Sequence, residues 1–180
     1  MALLEPRTHS RPYKLMVDDF YRLDLPSDKR YELLEGVIYQ MPAMGPRHAA
    51  TVERVASYVR AQIAGVQVRE EKLIYWGKND LPQPDLAVVK SADYSRQHPQ
   101  PEDICLLVEV ADTTLAHDRR KLADYAKAGV QEVWILNLEE YQIEVYLEPK
   151  GGKYRTQHLY EPGDPIIPYA FAEIALEIAW

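Results

Sequence analysis

A chain of 180 residues, 47% apolar and 27% charged, is long enough to bury a core and has the balance of a globular protein rather than a disordered or fibrous one. Its 21 basic and 28 acidic residues leave a net charge of -7, which argues against strong non-specific nucleic-acid binding, because that depends on neutralising phosphates with Lys and Arg. No stretch approaches the ~20 apolar residues that span a bilayer. Met1 to Arg11 lacks a secretion-signal pattern, and the lone Cys105 excludes an intramolecular disulfide framework. A single cytoplasmic domain over residues 1–180, away from the membrane, is expected.

Residues 1–14 read as a loose arm, with Pro6, Pro12 and little periodicity. Val17 to Leu23 suits a short helix. Tyr31 to Leu34 and Val37 to Met41 flank Glu35-Gly36, the spacing of a tight hairpin. Met44-Gly45-Pro46 breaks the chain. From His48 to about Ala64, Val52, Val55, Ala56, Val59 and Ile63 recur at a helical period, with Gly65 placed as a C-cap. Val66 to Trp76 alternates in part, and Asp85 to Val89 is a short apolar strand. Ile104 to Val110 is nearly continuous in apolar residues, as a strand buried on both faces should be. Leu115 to Ala128 gathers Leu115, Leu122, Tyr125 and Ala126 on one side and stops at Gly129, which predicts a helix. Glu132 to Asn137 is the next strand. Gln142 to Leu147 alternates cleanly, predicting a half-exposed strand, and Lys150-Gly151-Gly152 turns into Tyr154 to Tyr160. In the tail, Phe171, Ile174, Ala175 and Ile178 fit a helix, but a short one, and the segment stays ambiguous. The order predicts an α/β (α+β) fold, a mixed sheet flanked by helices. The strand from Ile104, the following helix and the strand around Val133 form a right-handed crossover.

Three residues on these elements carry the chemistry. Asp85 follows Pro84 at the start of one strand, and Glu109 closes the apolar run of another. Lys121 lies at the border of the helix's apolar side, about 40° from Tyr125 around the axis. Hydrolysing a phosphodiester requires neutralising phosphate charge and generating hydroxide, and a divalent metal does both. Mg²⁺ typically uses one or two protein carboxylates and completes its octahedron with water and substrate oxygens. Asp85 and Glu109 can supply such a pair if their strand ends adjoin, with a lysine beside them to orient water or stabilise developing charge.

Pro84-Asp85 followed by Glu109-Val110 looks like the PD-(D/E)XK nuclease signature. The wider text resembles the Uma-two family of predicted restriction endonucleases. The matching stretches are Tyr31-Glu32-Leu33-Leu34-Glu35-Gly36, Pro84-Asp85-Leu86, Val108-Glu109-Val110, Asp118-Arg119-Arg120-Lys121-Leu122 and Gly129-Val130-Gln131-Glu132-Val133-Trp134. The resemblance implies a restriction-endonuclease-like core and Mg²⁺-dependent DNA cleavage, with Mn²⁺ as a substitute. One departure is plain: the signature's lysine would fall at position 111, where Ala111 stands. In the family that role passes to a lysine on the following helix, here Lys121.

Further polar residues invite weighing. Glu32 matches the family pattern and could approach the metal or the lysine, whereas Glu35 belongs to its turn. His48, at a helix start, could contact phosphate or move a proton, with capping or a surface position as the bland alternative. Asp118 stands one turn before Lys121 and could pair with it. Asp112 suits an N-cap or turn, and Tyr125 and Trp134 suit the core. No P-loop, dinucleotide fingerprint, zinc motif or nucleophile elbow competes. The expectation is a Mg²⁺-dependent endonuclease acting on DNA as a homodimer, with the strands Gln142 to Leu147 or Tyr154 to Tyr160 as interfaces. Two alternatives stay open: an inactive binding protein on the same fold, and a metal-dependent phosphodiesterase acting on RNA or nucleotides.

Overall fold

The structure, a computed structural model, describes residues 12–180. Most of the expected N-terminal arm therefore lies outside the described residues. Just after it, Leu15 is tied down: its N–H donates to Gly36 O, and its carbonyl accepts from the Asn79 amide.

Ten strands and three α-helices follow in the order α1 (Val17–Phe20), β1 (Tyr31–Leu34), β2 (Val37–Gln40), α2 (Pro46–Gln62), β3 (Val66–Glu70), β4 (Leu86–Lys90), β5 (Ile104–Ala111), α3 (Leu115–Ala128), β6 (Glu132–Asn137), β7 (Gln142–Lys150), β8 (Lys153–Tyr160), β9 (Pro165–Ile166) and β10 (Leu176–Glu177). A six-stranded sheet runs in the order β3-β4-β5-β6-β7-β8. Every pair in it is antiparallel except β5 with β6, the parallel pair that α3 connects. The mixed sheet flanked by helices is the architecture the sequence predicts.

The alternation of side chains along β4 and β5 sorts the interior into two halves. Leu86, Val88, Leu106, Val108 and Val110 join the α2 residues Val52, Val55, Ala56 and Val59 in one cluster. Ala87, Val89 and Leu107 join Tyr125 of α3 and Val133 of β6 in the other. Glu109 shares the parity of Leu107, so the sheet's own period puts it on the α3 side. The β1–β2 hairpin forms a separate two-stranded sheet whose turn places both Glu35 and Gly36 at positive φ, as a tight hairpin requires. It docks through reciprocal backbone bonds between Leu33 and Leu81 and shares a third small cluster with α1.

Several boundaries and environments differ from expectation. The α1 helix ends at Phe20, and β3 stops at Glu70, where Glu71 turns to positive φ. For α2 the start is Pro46, whose fixed φ suits the first turn, and the C-cap is Ile63 rather than Gly65. Gln142 to Leu147 is not a half-exposed strand: β7 runs between β6 and β8, with Ile143, Glu144 and Val145 buried. Its alternation is a charged residue inside the fold, because Arg119 covers Glu144 with two hydrogen bonds, at 3.1 and 2.6 Å. The edge on this side of the sheet is β8. In the tail the period is two, not helical: Leu176 and Ile178 are buried while Glu177 between them is exposed, and β10 pairs with β9. Cys105, inside an apolar run that would be expected to bury it, is only partly buried. Among the described residues no helix is long and apolar enough to cross a membrane.

Candidate active site

Asp85 directly precedes β4, and Glu109 lies near the end of β5. The antiparallel register sets Leu86 opposite Val108, so the two acids occupy the next position across the pair. Each is fixed by the other's strand. The Asp85 N–H donates to Glu109 Oε2 at 3.2 Å, and the Val110 N–H donates to Asp85 Oδ2 at 2.8 Å. Glu109 is buried within the sheet, which excludes a position at its solvent edge.

From α3, Lys121 reaches Glu109 Oε1 at 2.7 Å and Glu32 Oε2 at 3.5 Å. Only 3% of Lys121 is exposed, so it is neither a solvated surface residue nor a lysine with a free ammonium group. Nor does it pair with Asp118, which instead accepts a 2.6 Å hydrogen bond from the Thr114 hydroxyl. Glu32, wholly buried on β1, also accepts from the Gln83 N–H at 3.2 Å and stands 3.8 Å from His117 Nε2. From α2, His48 Nε2 lies 3.1 Å from Asp85 Oδ2, so His48 neither caps its helix nor stands alone on the surface. Asp112 makes no cap either: it pairs with Arg47 at 3.4 Å. Asp85, Glu109, Lys121, Glu32 and His48 thus meet around one centre, with Asp118 at its rim.

Sequence reasoning missed two members of this group. Tyr125 is core, as expected, but its hydroxyl also donates to Glu109 Oε1. His117 went unnoticed, although it stands four residues before Lys121 and so on the same face of α3, a spacing that marks a neighbour once Lys121 is singled out.

Electrostatics in this group are unbalanced. Glu32, Asp85, Glu109 and Asp118 surround a single buried ammonium. Burial, reinforced by the charges of Asp85 and Asp118, pushes the Glu109 carboxyl up to about 7 even though Lys121 pulls it down. Burial likewise raises Asp118. It works against ionisation of Asp85 too, but the His48 hydrogen bond and the Val110 N–H overcome it and hold Asp85 below its ordinary value. At Glu32, Lys121 and His117 overcome burial in the same sense. His48 rises above its ordinary value because Asp85 outweighs the burial that would lower it.

These residues fit a divalent cation. An excess of buried carboxylate is the charge a cation would neutralise, and Glu32 Oε1 has no hydrogen-bond partner. Among the described residues no three His, Cys, Asp or Glu side chains form a ready-made cage. The donor set suits an ion that takes two carboxylates and leaves its other positions to water and substrate, as Mg²⁺ does. Both acids line a cleft of about 290 Å³, which the segment 39–45 also lines.

The profile of the Uma2 family, described as "Putative restriction endonuclease", matches residues 17–179. No curated protein matches the chain. A crystal structure described as a "putative nuclease", from Anabaena variabilis, superposes with a TM-score of 0.73 at 18% identity, covering 91% of this chain and 94% of that one. At that identity the likeness speaks to the fold, which is therefore that of a nuclease-like neighbour.

Proposed function

The chain belongs to the Uma2 family, and on that footing we propose that it is a metal-dependent endonuclease that hydrolyses DNA phosphodiester bonds. The observation that supports this reading best is the pairing of Asp85 and Glu109 at one cleft, with Lys121 of a third element bound to Glu109 from behind. Mg²⁺ or Mn²⁺ held by Asp85 and Glu109 would neutralise phosphate charge and acidify water.

The chain's own groups do the rest. Asp85 is presented by the Val110 N–H and His48, and Glu109 by the Asp85 N–H and the Tyr125 hydroxyl, so neither carboxylate has to be ordered when substrate arrives. Lys121 sets a buried positive charge behind Glu109, where it holds that carboxylate in place and offsets, through space, charge growing on the phosphoryl oxygens. Water adds its oxygen to phosphorus and releases a proton. One phosphorus–oxygen ester bond breaks, and the departing sugar oxygen takes up a proton, leaving a phosphomonoester and a hydroxyl end.

The test is plasmid cleavage with Mg²⁺ or Mn²⁺ over a range of salt, with calorimetry for metal binding. Cleavage that disappears in Asp85→Ala and Glu109→Ala supports the assignment. Wild-type protein that neither cuts nor binds metal ends it.

A further inference from the structure

The segment 39–45 that lines the cleft together with the acids is largely apolar and open. Tyr39 and Met44 are 43% and 40% exposed, large side chains facing water beside a buried polar centre, and Pro42 and Ala43 complete the surface between them. The hairpin register explains why Tyr39 stands there: it lies directly opposite Glu32 in the β1–β2 ladder, so one hairpin carries both a member of the acid group and an aromatic face. Charge at the cleft is the reverse of what a phosphate backbone needs, whether paired or single. Arg30 is the only Arg or Lys among the described residues lining it, and Arg30 is engaged by Glu71 at 3.0 Å. Nearby Arg47 is likewise committed, to Asp112 and to the Leu138 carbonyl. With a net charge of -7, affinity for nucleic acid has little phosphate neutralisation to draw on. Stacking is the other source: a base on an aromatic face contributes without any cation and without regard to sequence. The cleft's 290 Å³ lies just below the usual span of ligand pockets, roughly 300–1,000 Å³, which suits one nucleotide unit. Its acids are almost sealed, Asp85 being 8% and Glu109 2% exposed, so a flexible strand that can bend inward reaches them more readily than a stiff duplex.

We propose that the substrate is single-stranded DNA, with one unpaired base stacked on Tyr39 and seated against Met44 while the adjacent phosphate reaches Asp85 and Glu109. This rests on the endonuclease reading and narrows it. One site suffices for one strand, so the two-fold dimer that double-strand cutting would demand is not required.

The experiment compares three labelled substrates of equal length in Mg²⁺ or Mn²⁺: a single strand, its duplex, and a single strand in which tetrahydrofuran residues replace the bases. The natural strand should be cut at least about tenfold faster than the other two, the scale of one lost stacking contact. Tyr39→Ala combined with Met44→Ala should raise KM for the natural strand with kcat largely kept. The same pair should weaken its binding in EDTA, read by fluorescence anisotropy, about tenfold. Equal cutting of duplex and single strand, or of natural and abasic strands, overturns the inference and leaves the endonuclease reading standing. Failure to cut any of the three overturns both.

Discussion

Lys121 and Glu109 form a 2.7 Å ion pair between a helix and the strand before it, both side chains almost sealed from water. A buried pair of this kind is costly to break from one side, because the remaining charge keeps its desolvation penalty without its partner. Lys121→Met leaves Glu109 and Glu32 facing each other with no ammonium between them. Urea unfolding should show a loss of about 3 kcal/mol or more. Added Mg²⁺ should restore part of it, since a cation can take over the neutralisation. Metal that restores nothing would place the binding carboxylates elsewhere.

Removing the acid instead should have the opposite balance. Glu109→Gln removes the burial of a charged carboxylate and its crowding by Asp85 and Asp118, which together raise this group's pKa, while Lys121 keeps Glu32 at 3.5 Å. Metal-free stability should change by no more than about 1 kcal/mol. Wild-type protein should gain about 2.7 kcal/mol at a hundredfold excess of Mg²⁺ over its Kd, and the variant should gain none. Cleavage should fall by about 10²-fold or more. A variant still stabilised by Mg²⁺ would remove Glu109 from the metal site.

Away from the site, Glu132 makes stability depend on pH in a definite direction. Its carboxylate is buried beside the Trp134 indole and the Tyr169 N–H, and burial raises its pKa above the ordinary 4.5 despite both hydrogen bonds. The folded protein therefore holds this proton more tightly than the unfolded chain. No penalty exists below the unfolded pKa, and stability falls as pH rises from there through the higher folded value. Glu132→Gln should flatten that part of the curve in urea titrations stepped upward from pH 4.5. Parallel wild-type and variant curves would remove Glu132 as the cause.

Arg119 anchors α3 to β7 by two hydrogen bonds to the buried Glu144. Its outer side is half open to water, which weakens the pair relative to a sealed one. Arg119→Ala should cost about 1–2 kcal/mol, between surface and buried values. Arg119→Lys should recover less than half, because an ammonium cannot reproduce the two-pronged contact. Full recovery with lysine would mean that charge alone holds the helix.

The sequence was most legible where one interaction dominates. The β5, α3 and β6 segments announce themselves through apolar continuity and a terminal glycine, and their boundaries agree with the structure to within a residue. Asp85 and Glu109 could be singled out because acids bordering apolar strands are conspicuous, and the register then brings them together. What stayed hidden depends on contacts between distant residues. Alternation at Ile143-Glu144-Val145 signals an exposed strand until Arg119, on another element, neutralises Glu144. Lys121 could be placed at the border of its helix face, but not its choice of Glu109 and Glu32 over Asp118. The tail's competing periods were decided by where Leu176 and Ile178 found room.

The β1–β2 hairpin shares no ladder with the six-stranded sheet and is tied to the rest of the chain by the Leu33–Leu81 backbone bonds, by Gly36 to Leu15 and Asn79, and by Glu32. Its inner residue Glu32 is bound to the acid group, whereas Tyr39 across the ladder looks out over the cleft. On the proposed reading, β2 and the following segment 41–45 form the surface that a substrate meets first, while Asp85, Glu109 and Lys121 stand beside β4, on β5 and on α3. Substitutions at Tyr39 or within 41–45 would then change what is admitted and leave the acids where they are, a division of labour between a loop and the frame that carries it.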